Sequence, residues 1–259
     1  ITTGNNNIAV GVSAGLSLSS GSDNICIGSY AGDAINTGAK NVAIGRSALG
    51  SEDAHGKVVA IGYAALNAQN AGADSYNTAV GYAAGLAVTT GVENTIIGGL
   101  AGDALTTGSS NVALGYNALS TEDAHGRNIA IGSSALTTLN AGADAYNIAI
   151  GFNAGYAVTT GVRNTVIGGL AGDALTTGNY NTAIGYTALG AENAHGKNVA
   201  IGYAALAVQD AGADAYNVAI GFEAGLSVTT GTQNTIVGAQ AGDALTTGHF
   251  NVAVGYLAL

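Results

Sequence analysis

The sequence predicts an all-β protein, a parallel β-solenoid or β-roll of about fifteen coils, each 17 or 19 residues long. Two observations predict this fold. A short motif, Asn-x-apolar-(Ile/Val/Leu)-Gly, recurs fifteen times at fixed spacing, and its apolar residues alternate as in a strand. The composition agrees, because 42 Gly, three Phe and no Pro, Trp or Met leave mainly small side chains for a core. Such a core favours a narrow rod over a globule.

The glycine that closes each motif sets the period. The spacing between successive glycines is 17, 17, 17 and 19 before the pattern starts again, so four coils form a 70-residue super-repeat. Alanine follows every one of these glycines three positions later, and asparagine opens every motif except the one that begins at Val58. We expect one continuous array over residues 1–259. We also expect it to belong to a longer fibre, because its last coil carries no polar cap. The glycines are Gly11, Gly28, Gly45, Gly62, Gly81, Gly98, Gly115, Gly132, Gly151, Gly168, Gly185, Gly202, Gly221, Gly238 and Gly255.

Each motif predicts a strand of about five residues. In residues 41–45, Val42 and Ile44 share one face and Ala43 lies on the other. Residues 101–108 predict a second short strand that ends at a glycine turn, which gives each coil two strands and two turns. A helix is excluded, because each glycine in a helix costs about 1 kcal/mol.

One coil is too small to bury its own apolar face, so the coils must stack at about 4.8 Å intervals into a rod of roughly 70 Å. Stacking predicts columns of like residues, among them Ile44, Ile61 and Val80, which we expect to enclose a hydrophobic interior. Stacked Asn side chains can hydrogen-bond along the axis, and Gly permits turns that a Cβ would forbid. The central alanine of the strand offers a smooth face for a second strand or another chain.

Two segments carry a resemblance to known proteins. Residues 77–85, Asn-Thr-Ala-Val-Gly-Tyr-Ala-Ala-Gly, and residues 105–108, Leu-Thr-Thr-Gly, resemble the head repeats of trimeric autotransporter adhesins and, more closely, repeats of bacteriophage tail fibres. The resemblance covers essentially the whole chain. It implies a left-handed parallel β-roll, a homotrimeric fibre, and attachment to a host or cell-surface receptor such as a glycan. The 17- and 19-residue coils are longer than those usual in adhesin heads, so viral and cellular origins both stay open.

Charge and hydropathy limit the partners. Six basic residues against sixteen acidic ones give a net charge of −10, which repels nucleic acid and anionic lipid. Apolar runs fall far short of the roughly 18 residues that a membrane span requires. We therefore expect no nucleic-acid partner and no membrane insertion of this segment. The extracellular location, on a virion tail fibre or a cell surface, is implied by the resemblance.

The segment with the most chemical potential is Glu-Asp-Ala-His-Gly-Lys. It occupies residues 52–57, returns at residues 122–127 with Arg127, and returns at residues 192–197 with Asn193 in place of Asp. Histidine beside carboxylates can transfer protons or hold a metal. Because the segment recurs once in each of three successive super-repeats, we favour a solvated polar turn over a metal or anion site shared by three chains. We assign no catalytic, cofactor-binding or metal residues and expect neither a cofactor nor an enzyme.

Four further sets have structural interpretations that we prefer. We interpret the aspartates as turn residues rather than calcium ligands, and the Thr-Thr pairs as polar turn residues rather than an ice-binding array. We expect the aromatic rings to pack on one another or between chains rather than to stack on sugars. We interpret Cys26 as a small buried hydrophobe rather than a reactive thiol. The aspartates are Asp33, Asp103, Asp173 and Asp243, with Asp74, Asp144 and Asp214. The first threonines of the pairs are Thr89, Thr106, Thr159, Thr176, Thr229 and Thr246. The aromatic residues are Tyr63, Tyr82, Tyr116, Phe152, Tyr186, Tyr203, Phe222 and Tyr256.

The function expected from these observations is that of a structural or adhesive segment of an extracellular fibre. Repetition without a unique constellation of nucleophile, base and stabiliser is typical of such a segment. A self-assembling extracellular filament is the alternative, as is an ice-binding or carbohydrate-binding solenoid.

Overall fold

The computed structural model describes residues 2–259, which form an all-β protein with one three-residue strand in each coil. These residues make two compact units, the first ending at Arg127 and the second spanning Asn128–Leu259. The first unit contains β1 (Ile8–Val10), β2 (Ile25–Ile27), β3 (Val42–Ile44), β4 (Val59–Ile61), β5 (Thr78–Val80), β6 (Thr95–Ile97) and β7 (Val112–Leu114). The second contains β8 (Ile129–Ile131), β9 (Ile148–Ile150), β10 (Thr165–Ile167), β11 (Thr182–Ile184), β12 (Val199–Ile201), β13 (Val218–Ile220), β14 (Thr235–Val237) and β15 (Val252–Val254).

Within each unit the strands are parallel and pair in sequence order. In the first unit Ile44 pairs with Ile61, and Ile61 pairs with Val80, so the predicted column exists. In the second unit Ile201 pairs with Ile220 in the same way. The predicted parallel β-solenoid is therefore confirmed.

The face of the strand that points inward differs from the expectation. Ala43 is fully buried, whereas Val42 and Ile44 on either side of it are only partly buried. The isoleucine column thus lies on the outer surface, and the expectation that it encloses the interior is wrong. The coil is narrow: a Cβ added to Gly32, on the opposite side of the same coil, would lie 2.8 Å from the Sγ of Cys26. Because the two sides approach so closely, mostly small central residues fit between them.

The interior consists of stacked alanine and leucine-type side chains. The alanine three positions after each motif glycine is buried in most coils, as is a larger residue such as Leu49 or Leu105. Cys26 takes the central strand position, is fully buried, and has its pKa raised to about 11 by desolvation. The interpretation of Cys26 as a small buried hydrophobe is confirmed. Each buried leucine contributes roughly 1.5–3 kcal/mol relative to an exposed one.

The predicted second strand is wrong, because the structure has turns there. Leu100 and Gly102 adopt left-handed φ angles of 56° and 50°, which reverse the chain direction. The Leu105 amide donates to the Gly102 carbonyl at 3.2 Å, a short-range bond typical of a turn. The Gly102 amide still donates to Ala118 of the next coil at 2.9 Å. The turns therefore stack and exchange hydrogen bonds between coils as the strands do.

The motif glycines have the conformation that the sequence requires of them. All fifteen have φ between 125° and 142°, a region that residues with a Cβ rarely enter. A Cβ added to Gly62 would lie 2.1 Å from the carbonyl oxygen of Gly81 in the next coil. These glycines are needed both for their φ angle and for the close approach of successive backbones.

The motif asparagines form a ladder through the backbone. Asn94 is fully buried; its Nδ2 donates to the Gly108 carbonyl at 2.9 Å and its Oδ1 accepts from the Asn111 amide at 2.9 Å. A direct bond between amide side chains is recorded for Asn24 with Asn7, at 3.1 Å. The predicted hydrogen bonding along the axis is confirmed, but it joins side chain to main chain more often than side chain to side chain.

Candidate functional site

The Glu-x-x-His turns combine a buried carboxylate with a half-buried imidazole. Glu52 is fully buried, and its Oε1 accepts a hydrogen bond from the His55 main-chain amide at 3.0 Å. The His55 Nδ1 lies 3.6 Å from the same oxygen, beyond hydrogen-bonding distance. The corresponding Nδ1–Oε1 distances are 3.4 Å for His125 and 3.6 Å for His195. The expectation of a solvated turn is wrong for the glutamate, because this turn folds its carboxylate inward.

A second carboxylate completes each cluster. In the first two copies it belongs to Asp53 or Asp123, next to the glutamate; in the third copy it belongs to Asp210, in the following coil. The cluster consists of Glu52, Asp53 and His55, of Glu122, Asp123 and His125, or of Glu192, His195 and Asp210, and its ligand atoms lie within 4.8 Å of one another. We call these the Glu-Asp-His clusters.

The third cluster exchanges an acid for an amide. Asn193 stands where the other copies have aspartate, and Asp210 stands where the other super-repeats have Asn70 and Asn140. The Asn193 Nδ2 donates to the Asp210 Oδ2 at 3.2 Å, so the two exchanged residues are in contact. Sequence analysis missed Asp210 because the cluster draws it from a neighbouring coil. Aligning the super-repeats with one another would have revealed the exchange.

Several polar atoms of the clusters are buried without a hydrogen-bond partner. They are the Nδ1 atoms of His55, His125 and His195 and the Oε2 of Glu192. Burial raises the pKa of Glu192 because it desolvates the carboxylate, and the hydrogen bond from the His195 amide opposes this effect. An unsatisfied buried polar group costs about 1–3 kcal/mol. The clusters therefore carry a repeated energetic penalty.

A separate set of charged residues joins successive coils at the surface. The Lys57 Nζ lies 2.6 Å from Asp74 Oδ2 and 2.8 Å from the Tyr76 hydroxyl, and the Gly56 amide donates to Asp74 at 3.1 Å. The same arrangement recurs in the second unit, with contacts of 2.6 Å and 2.9 Å; its members are Lys197, Asp214 and Tyr216. The interpretation of Asp74 and Asp214 as turn-stabilising residues is confirmed.

These ion pairs predict a pH dependence. The hydrogen bond from Lys57 lowers the pKa of Asp74, and that from Lys197 lowers the pKa of Asp214. A carboxyl whose folded-state pKa is depressed stabilises the fold above its unfolded-state pKa, and this contribution is lost as the pH falls through the folded-state pKa. We expect a Lys57→Met/Lys197→Met variant to be less stable than the unmodified chain at pH 7, with the difference disappearing at acidic pH. Urea denaturation at a series of pH values measures it, and a difference independent of pH would contradict the assignment.

Asp103 and Asp173 also lie in turns. Burial raises the pKa of Asp103 and of Asp173, and in both the residue's own main-chain amide opposes the shift through a hydrogen bond. This contact with the local backbone is the one expected of a turn residue. The turn interpretation is confirmed at these two positions.

Threonines of the Thr-Thr pairs form hydrogen bonds that link the turns of successive coils. The Thr176 Oγ1 donates to the Asn193 carbonyl at 2.7 Å, and the Thr89 Oγ1 donates to the Thr106 carbonyl at 3.1 Å. Each hydroxyl thus reaches the main chain of the next coil. The preferred interpretation of these threonines as polar turn residues is confirmed.

Five of the eight aromatic residues stack on one another across coils. Tyr63 and Tyr82 have ring centroids 5.2 Å apart with planes inclined by 9°. Tyr203 stacks on Tyr186 at 5.7 Å and on Phe222 at 5.2 Å. The preferred interpretation of mutual packing is confirmed for these five residues, although Tyr203 is still 48% exposed.

Comparison with protein-family models, with curated proteins and with solved structures finds no match for this chain. Residues 2–259 include no helix with the length and apolar character needed to cross a bilayer. No pocket is found in the same residues.

Proposed function

We propose that this chain is a structural and adhesive segment of an extracellular fibre, either a phage tail fibre or a trimeric surface adhesin. The fibre would hold an attachment site at a distance from the phage particle or cell that carries it. The repeated coil supports this proposal, because the same hydrogen bonds recur from coil to coil within each unit. The resemblance of residues 77–85 to adhesin and tail-fibre repeats supports it as well.

The observation that carries the proposal is the apolar outer face of the sheet. The third residue of all fifteen strands is Val, Ile or Leu, and its side chain points outward. Ile27 is 37% exposed, and Leu114 and Ile220 are each 39% exposed. Monomeric proteins rarely expose contiguous apolar patches of more than a few hundred Å². A column repeated in every coil is therefore suited to an interface.

The occupant that we propose for this face is further copies of the same chain, in a homotrimer of left-handed β-rolls as the resemblance implies. Identical chains aligned in parallel would place Val and Ile columns against one another along the fibre axis. The position two residues further along holds an aromatic side chain in eight of the fifteen coils, and these aromatic residues would flank that seam. Burial of both sets of side chains would stabilise the assembly through the hydrophobic effect.

The oligomeric state of the purified chain tests this interface. We expect a mass three times that of one chain by sedimentation or mass photometry. An Ile201→Lys/Ile220→Lys variant is expected to be a folded monomer, because three copies would bring like charges together in an apolar seam. A monomeric unmodified chain, or a lysine variant that stays trimeric, would contradict the proposal.

Ala213→Lys is the matched control, since Ala213 is exposed in a polar loop and the variant gains the same kind of charge. It should remain trimeric. Open-ended assemblies of the unmodified chain would instead favour the self-assembling filament.

The extracellular location needs its own test. Antibodies raised against the purified chain should label fibres on intact phage particles or on the surface of intact producing cells in electron micrographs. Label found only after cell lysis, and absent from particles, would contradict it.

A further inference from the structure

We infer that each Glu-Asp-His cluster is a binding site for one divalent zinc-like ion, held by one imidazole nitrogen and two carboxylates. The inference is independent of the fibre proposal, because every ligand of a cluster comes from one chain. The third cluster, Glu192, His195 and Asp210, carries the argument furthest.

The geometry of the ligand atoms fits such an ion. Donors about 2.0–2.1 Å from a tetrahedral zinc lie roughly 3.4 Å from one another. The His195 Nδ1 and Glu192 Oε1 are 3.6 Å apart, and all three ligand atoms lie within 4.8 Å. Asp210 is exposed, so its carboxylate is open to an ion as the third ligand, and water can take the fourth position of a tetrahedron.

Two atoms of this cluster lack a partner that an ion would supply. Glu192 is fully buried, its Oε2 has no hydrogen-bond partner, and the buried Nδ1 of His195 has none either. A cation bound by the Glu192 carboxylate and the His195 Nδ1 would neutralise the carboxylate and occupy the imidazole lone pair. The Nδ1 atoms of His55 and His125 are unpartnered in the same way.

The exchange of acid and amide points to the same chemistry. A polar turn does not require a carboxylate at a fixed position. In the third super-repeat, however, Asn193 replaces the aspartate of the other copies, and Asp210, in contact with Asn193, replaces their asparagine. Each cluster thereby keeps one imidazole and two carboxylates. That set of donors suits a metal ion, and the contact between Asn193 and Asp210 shows that the two positions are neighbours.

The donor set selects the class of ion. Imidazole nitrogen suits zinc and neighbouring transition metals, whereas calcium and magnesium prefer oxygen ligands alone. In the third cluster the ion would also join two coils, because Glu192 and Asp210 belong to successive coils. We therefore expect zinc binding there to raise the unfolding temperature.

Calorimetric titration of untagged, chelator-treated protein with zinc chloride tests the inference. We expect three zinc ions per chain and no displacement by excess magnesium. Each of His55→Gln, His125→Gln and His195→Gln should remove one ion, and the triple variant should bind none. His249→Gln is the matched control, because His249 is the remaining histidine, is exposed, and lies outside the clusters with its Nδ1 on the Thr232 amide at 3.0 Å.

The exchange provides a second test. Asp210→Asn alone should remove the third ion, and Asn193→Asp/Asp210→Asn, which recreates the donor arrangement of the first two copies, should restore it. Absence of saturable zinc binding, zinc binding that persists in the triple histidine variant, or loss of an ion in His249→Gln would overturn the inference.

Discussion

Replacing Gly62 with alanine is expected to lower the free energy of unfolding by at least about 3 kcal/mol. Gly62 has φ of 137°, and a Cβ there would lie 2.1 Å from the Gly81 carbonyl oxygen. The clash is with backbone, so no side-chain rotation relieves it, and a shift of the carbonyl would also disturb the turn bond that it accepts from the Ala84 amide at 3.4 Å. Urea denaturation followed by circular dichroism measures the loss.

Gly72→Ala is the control for this substitution. Gly72 also has a positive φ, of 71°, but a Cβ there would meet nothing within 4 Å. Its cost should be limited to the left-handed conformation, about 1–2 kcal/mol. Equal losses for the two variants would show that the close approach of successive coils is not what restricts Gly62.

Asn164→Val is expected to cost about 2–4 kcal/mol, and Asn198→Val about 1 kcal/mol or less. Asn164 is buried and satisfied: its Nδ2 donates to the Gly178 carbonyl at 2.8 Å, and its Oδ1 accepts from the Asn181 amide at 2.9 Å. Valine would leave that carbonyl and that amide without partners in the interior. Two orphaned backbone groups account for the expected loss.

Asn198 differs because it opens one of the longer coils. Its Nδ2 is buried without a partner, and its Oδ1 accepts only a long bond, 3.2 Å, from Asn217. Valine there removes an unsatisfied donor at the same time as it removes a weak acceptor, so the two effects offset. Val58 occupies the same position in the first super-repeat, which explains the single exception to the asparagine ladder.

The midpoints of urea denaturation measure the loss of stability in each of these two valine variants. Asn181→Val, at another ladder position, extends the series and should also be costly. A result in which Asn198→Val is as damaging as Asn164→Val would contradict the role that we give to the Nδ2 bonds of the ladder.

The strands and their register could be predicted from the sequence because the motif fixes them locally. Alternation in residues 41–45 defines two faces, and constant spacing puts Ile44 beside Ile61. Alternation does not say which face is inward, and side-chain size favoured the wrong one. What decides is the distance across the coil, seen where Gly32 approaches Cys26, and this distance depends on turns that were predicted to be a second strand.

The candidate site was only partly predictable. Glu52 and His55 were recognised as a candidate pair, yet a run of Glu, Asp, His and Lys is typical of a solvated turn, and nothing local indicated that Glu52 is fully buried. The contribution of Asp210 depends on how one coil lies over the next. Such a residue is found from three-dimensional neighbours or from comparing one super-repeat with another.

Because the backbone hydrogen bonds between coils join each residue to one in the adjacent coil, no distant part of the chain is needed to complete a coil. Loop closure over so short a span has a low entropic cost and occurs quickly. A chain emerging from the ribosome at about 5–20 residues per second can add a finished layer every few seconds. Synthesis itself can then set the order of folding, from the amino terminus onward.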